Sequence, residues 1–183
     1  MIAIDPGLDC TGLARFRMSV TPPRTLNAAV ELLDSTGKIS TQPGATIERR
    51  LGIIAHEISQ LDGAQLIVVE VPPYDGPYTG DRRRQSGVTR LYMAIGAILG
   101  GAACREPTSL TTMHDPDSGR VVTVPVITEA KSFRNGLLKA AGCELPAGPR
   151  GGIEQDKADA IWIGCQWMLN PPALMPQTTK ASP

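Results

Sequence analysis

Twice in this chain an apolar run ends on a carboxylate with proline close behind. The first is Ile2-Ala3-Ile4-Asp5-Pro6-Gly7, the second Leu66-Ile67-Val68-Val69-Glu70-Val71-Pro72. The second run is largely β-branched and has no polar alternation, which suits a central strand covered on both faces, as in a parallel crossover. If the two strands lie side by side and parallel, Asp5 and Glu70 emerge together at one carboxyl edge, where open α/β sheets place their ligands. Taken by itself, Asp5 before Pro6-Gly7 is better read as a turn former. A buried carboxylate still needs a hydrogen bond, a counter-charge or a metal, so the question is which other acids converge on these two.

The rest of the chain supplies a frame for that edge. After the Pro6-Gly7 break, Thr11 to Phe16 starts a second strand, and Ala28 to Asp34 fits a third, closed by Ser35-Thr36-Gly37-Lys38. Three short strands separated by turn signals predict an antiparallel meander. Ile47, Leu51, Ile54, Ile58 and Leu61 then recur at helical spacing on one face, and Gly63 ends the helix. Pro72 to Gly87 reads as a loop, aromatic and then basic. Val88 to Cys104 reads as a second helix, in which Gly96, Gly100 and Gly101 lower intrinsic propensity and call for close packing. Ser109 to His114 and Arg120 to Ile127 fit a hairpin feeding the last strand. Glu129 to Ala141 is expected to be helical, Pro146 to Gly152 a loop, and Ile153 to Leu169 the final helix. The fold class is therefore α/β, a mixed five-stranded sheet of antiparallel meander plus parallel strands, flanked by helices. No repeat or linker divides it, so one domain is expected over 1–169, with an irregular tail over 170–183.

Composition restricts the function less than the fold. Lysines plus arginines equal aspartates plus glutamates at 18 each, so no global charge announces nucleic acid, although a local basic patch can be cancelled by clustered acids. Cys10, Cys104, Cys143 and Cys165 show neither CxxC nor zinc spacing, and are expected to be reduced thiols. No leader pattern and no membrane-length apolar run is present, so the expected setting is cytoplasmic, or the host cytoplasm for a phage-encoded chain.

The final helix carries the remaining acids. Glu154-Gln155-Asp156-Lys157-Ala158-Asp159 places Asp156 and Asp159 three apart on one face. Acids in a helix's first turn also simply complement its dipole. In order, the chain runs strand–Asp, meander, helix, strand–Glu, helix, strand, and a final helix with Asp-x-x-Asp. That order resembles the ribonuclease H-like fold, and within it the RuvC-like Holliday-junction resolvases. The likeness covers most of the chain and rests on Ile4-Asp-Pro-Gly7 with Thr11-Gly12, Arg50-Leu-Gly-Ile-Ile54, Ile67-Val-Val-Glu70 and Asp156-Lys-Ala-Asp159-Ala160.

The resemblance implies that Asp5, Glu70, Asp156 and Asp159 are catalytic metal-binding acids, with Asp5 the bridging ligand. The cofactor implied is Mg²⁺, two ions per active site, with Mn²⁺ able to substitute. Crowded carboxylates repel, and a hard divalent cation relieves them. Glu154 is an alternative ligand, although its position better suits a solvated helix start. Lys131 matches a lysine near the scissile phosphate, where a fixed cation offsets transition-state charge. A solvated lysine at a helix start is the other reading. Tyr74 and Tyr78 compete for the role of an aromatic stacking at the junction's open centre, and Arg82, Arg83 and Arg84 are placed as a phosphate contact strip, an exposed charge run being the other reading. His56 and His114 receive no role.

By the same resemblance, the protein is expected to be a Mg²⁺-dependent, structure-selective endonuclease. It would resolve four-way DNA junctions as a homodimer, with the glycine-bearing second helix as dimer face. Two departures stand out: the segment between Lys131 and the last helix lacks the family's glycine-rich stretch, and the 105–119 region is longer. Rival readings are a YqgF-like or ribonuclease H-type enzyme acting on RNA or hybrids, and a junction-binding protein without activity. Asp5-Pro-Gly-Leu-Asp-Cys-Thr11 also satisfies the phosphate loop of actin-like kinases, but those need two such domains and this chain has length for one.

Overall fold

The computed structural model describes residues 1–61, 66–70, 82–104, 109–110 and 130–171. Strands β1 (Ile2–Asp5) and β2 (Cys10–Phe16) form a hairpin, and a short helix α1 (Leu26–Val30) leads into β3 (Leu33–Ser40). Helix α2 (Ile47–Ser59), strand β4 (Leu66–Val69), helix α3 (Arg82–Ala103) and a two-residue strand β5 (Ser109–Leu110) follow. Helices α4 (Lys131–Ala140) and α5 (Gln155–Leu169) complete the described chain. The sheet order is β3-β2-β1-β4-β5, with β3, β2 and β1 antiparallel and β4 and β5 running parallel to β1. Four developed strands and a minimal fifth thus make the mixed sheet that the sequence predicts.

Both central strands are buried on two faces, and their alternation sorts side chains into two cores. Ile2, Ile4, Ile67 and Val69 face α2 and α3, packing with Ile54, Ile58, Ile95 and Ile98. Ala3, Leu66 and Val68 face the other way, with Ile161, Ile163 and Cys165 of α5 and Leu138 of α4. A fully buried aliphatic side chain contributes roughly 1.5–3 kcal/mol, which is why an unbroken apolar run with little helical propensity settles as a central strand.

The third strand differs from expectation. Ala28 to Val30 belongs to α1, whose start is capped by Thr25: its hydroxyl accepts the Ala28 N–H at 3.3 Å. Ala29 and Val30 are buried there instead of in the sheet. The strand begins at Leu33, and Ser35-Thr36-Gly37-Lys38, expected to close it, lies inside it, paired with Arg15 to Gly12 of β2. An edge strand needs only one hydrogen-bonded side and tolerates polar residues. A second difference is that α3 starts at Arg82, within the stretch read as loop. Arginine and glutamine are good helix formers, and they outweigh Ser86-Gly87. Gly101 supports the expected close helix packing, since an added Cβ would sit 2.3 Å from the Ala55 carbonyl oxygen of α2. The expected hairpin beyond Leu110, the 105–119 departure apart from β5, and the tail beyond Pro171 lie outside the described residues.

Candidate functional site

Register brings the first two acids together. Ile4 is paired with Val69 in the parallel ladder, and the Glu70 N–H donates to the Ile4 carbonyl at 3.2 Å. Asp5 and Glu70 are therefore adjacent residues at one strand edge, as the repeated pattern predicts. On its other side Asp5 is paired with Gly12 of β2. The absent side chain at Gly12 lets α5 cross there, for an added Cβ would lie 2.0 Å from the Asp156 carbonyl oxygen. That close approach sets the start of α5, with Asp156 in its first turn and Asp159 just beyond, against the strand beside Asp5. The intervening turn is fixed by Thr11, fully buried, whose hydroxyl donates to the Gly7 carbonyl at 2.8 Å. Arg50 ties α2 to the same turn through an ion pair with Asp9, and its Nε donates to the Ala45 carbonyl at 3.0 Å.

The acids feel one another. Burial first, then the charges of Asp159, Glu70 and Asp156, push the Asp5 carboxyl up to about 8, against a smaller opposing pull from Lys131. Glu70 is also raised, by burial and by Asp159, while Arg134 and Lys131 draw it down. Burial and a hydrogen bond with Asp156 raise the Cys10 thiol to about 11, so this cysteine is a neutral neighbour and not a nucleophile.

Asp159 is the most enclosed member. Its Oδ1 forms an ion pair with Arg134 Nη2 at 2.9 Å and accepts a hydrogen bond from Gln155 Nε2 at 2.9 Å, and its Oδ2 accepts from Lys131 Nζ at 2.8 Å. Asn135 in turn donates to Gln155 Oε1 at 3.0 Å. The Asp159 and Arg134 side chains are 7% and 9% exposed, whereas that of Lys131 is 60% exposed. Lys131 thus takes a defined position at the acid edge, bonded to a carboxylate by an arm that solvent reaches.

An all-oxygen, net negative donor set is what a hard divalent cation requires, and the mutual repulsion raising Asp5 is the penalty such an ion removes. By this criterion the residues fit Mg²⁺ or Mn²⁺. Among the described residues, however, no three His, Cys, Asp or Glu side chains are drawn together closely enough to hold an ion as they stand. Both oxygens of Asp159 are engaged with nitrogen donors, so ligation through it requires an exchange of partners.

The other expected site residues fall differently. Glu154 is not a solvated helix start: its carboxylate pairs with Lys38 of β3 and, at 3.1 Å, with Lys157, leaving its side chain 12% exposed. Those two lysines hold it below its usual range and leave it poorly suited as a ligand. Arg82, Arg83 and Arg84 occupy the first turn of α3. Their proposed phosphate contacts, and Tyr74 and Tyr78 altogether, lie outside the described residues. The sequence reading missed Arg134 and Gln155. A signal for Arg134 existed: it is three residues beyond Lys131 on the same helix, so both cations share a face.

A mixed sheet with acids at the ends of β1 and β4, crossed by the acid-bearing helix α5, has the arrangement of a ribonuclease H-like fold. Solved structures similar to this chain include those of RuvC. No family model matches the sequence, and no curated protein sequence does. Thermus thermophilus RuvC in complex with a Holliday junction substrate is similar, with a TM-score of 0.60 and 16% identity, over 90% of this chain and 90% of that one. A second Thermus thermophilus RuvC structure gives a TM-score of 0.54 at 16% identity, over 92% of this chain and 93% of that one. The chain has a RuvC-like fold.

Proposed function

We propose that this protein is a divalent-cation-dependent endonuclease that resolves four-way DNA junctions by paired phosphodiester hydrolysis, the activity residing in residues 1–169. The observation that carries the reading is the meeting of acids from three distant segments, β1, β4 and α5, at one sheet edge, where they raise Asp5. The RuvC-like fold and the junction bound to one of the similar structures supply the substrate class.

Asp5, Glu70, Asp156 and Asp159 would hold the ions. When bound, such cations supply Lewis-acid charge to the phosphate and to the leaving oxygen. The chain's own share is positioning. The strand edge fixes Asp5 and Glu70 on rigid backbone, and α5 brings its acids across Gly12. Asp5, ionised once its repulsion is relieved, can orient a water for in-line attack. Lys131, with its exposed arm, can leave Asp159 for a phosphate oxygen and offset the charge that develops there. Tyr74 or Tyr78 would stack at the open centre, and Arg82, Arg83 and Arg84 would contact phosphates. Two copies related by a two-fold axis match the approximate symmetry of a junction. Met93, 42% exposed, and Gly96 and Gly100, with open space beside them, make α3 the surface we assign to the homodimer. Among the described residues no helix is long and apolar enough to cross a membrane, consistent with the cytoplasmic setting we propose.

The test compares a four-way junction, a linear duplex and an RNA–DNA hybrid in Mg²⁺, with Asp5→Asn as control. Symmetric paired nicks on the junction alone, lost in the control, are expected. Selective loss of the RNA strand would replace this reading with a ribonuclease H-type activity. Junction binding without nicking would make the protein a binding module.

A further inference from the structure

Lys131 and Arg134 both bond Asp159, yet they cannot play the same part. Lys131 reaches Oδ2 from solvent, and its ammonium is free to leave with little change in burial. Arg134 reaches Oδ1 from within, its side chain only 9% exposed, on a helix whose Asn135 and Leu138 are buried as well. The second donor to Oδ1, Gln155, is held by Asn135 from that same helix. An ion pair from α4 and a hydrogen bond from α5 therefore hold one oxygen of Asp159 and leave the other with an exchangeable partner. Arg134 is also the largest attractive charge acting on Glu70, and its Nε has no acceptor among the described residues.

We propose that Arg134 is a positioning residue of the acid edge. It is a built-in cation that locks Asp159 through Oδ1, so that Oδ2 alone is offered to an incoming divalent ion. The inference rests on the nuclease reading for its consequence in catalysis, but not for its consequence in ion binding. Arginine suits the role because its planar, always-charged fork holds a carboxylate in one orientation from a buried position, which a lysine does less well. Removing it adds one net negative charge to the edge and frees Asp159 to turn. Ion affinity and turnover should then move in opposite directions.

The experiment uses the full chain with Arg134→Gln and Arg134→Lys, each first checked for a cooperative thermal transition. Mn²⁺ binding is titrated calorimetrically without DNA, and junction nicking is measured at saturating Mg²⁺. For Arg134→Gln we expect Mn²⁺ to bind tighter by roughly tenfold. The nicking kcat should fall by about 100-fold, the scale of an ångström of misplacement, with the junction KM unchanged. Arg134→Lys, which keeps the charge but not the fork, should restore Mn²⁺ affinity to the wild-type value and only part of the rate. Wild-type kcat in Arg134→Gln overturns the proposal, as does parallel loss of Mn²⁺ binding and of the thermal transition in both variants, which would mark a purely structural arginine. Should the wild type nick no junction, the nuclease reading falls and the Mn²⁺ titration decides alone: tighter binding in Arg134→Gln, reversed in Arg134→Lys, supports the role, and unchanged binding overturns it.

Discussion

Replacing Asp5 with asparagine should stabilise the ion-free protein while destroying its activity. The Asp5 carboxyl sits at about 8 in the fold against 3.8 as the ordinary value, because burial and three neighbouring acids oppose its charge. Below pH 3.8 the folded and unfolded chains both keep the proton, and nothing is lost. Between that value and about 8 the unfolded chain releases the proton while the folded one retains it, so stability falls as pH rises; above about 8 the loss levels off. Linkage makes the deficit about 4 kcal/mol at pH 7. Relaxation of the carboxylates and counter-ion attraction reduce what a measurement returns to roughly 1–4 kcal/mol. At about 2–4 °C per kcal/mol for a chain of this size, Asp5→Asn should melt several degrees higher in EDTA at pH 8 and show little difference at pH 4. Adding Mg²⁺ should raise the wild type and leave the variant almost unmoved, closing the gap, because only the wild type gains by binding. The assay is thermal denaturation from pH 4 to pH 9 with EDTA or Mg²⁺. A gap that fails to widen with pH, or a variant less stable than wild type at pH 8 in EDTA, refutes the view of Asp5 as a repelled, buried carboxylate.

Two further outcomes follow from the same edge. Gly12→Ala would place a Cβ 2.0 Å from the Asp156 carbonyl oxygen, where backbone must move. A loss of about 1–3 kcal/mol in denaturant unfolding is expected, with nicking reduced more than junction affinity, since the first turn of α5 is what shifts. Lys131→Met frees Oδ2 of Asp159. Mn²⁺ should bind tighter by calorimetry while nicking falls roughly 100-fold, and equal rates with and without the lysine would remove it from the chemistry.

Much of this arrangement was legible in the chain because it follows from period and punctuation. The apolar runs before Asp5 and Glu70 demanded central strands, and parallel pairing at Ile4 and Val69 then made the two acids neighbours. The Asp156–Asp159 face could be read from helical spacing. What could not be read depends on local competition or on contacts distant in sequence. Thr25 capping turned an apolar stretch into α1, and the polar Ser35 to Lys38 segment became strand only because β2 offered it hydrogen bonds. Glu154 looked solvent-exposed until Lys38, far away in sequence, was placed beside it. Nothing in the sequence set Arg134 apart as buried. Its burial comes from the packing of α4 against α5, which no single-helix pattern encodes.

The division of the interior by the sheet has a consequence for how such a protein can change. Side chains supporting the acid-bearing helix belong to one compartment, and those supporting α2 and α3 belong to the other, with alternate residues of β1 and β4 as the wall between them. Repacking beneath the outward surface of α3 would stay in its own compartment. A lineage could therefore swap the partner, or the grip on its substrate, through α2 and α3 while the geometry under α5 remained sealed off from the alteration.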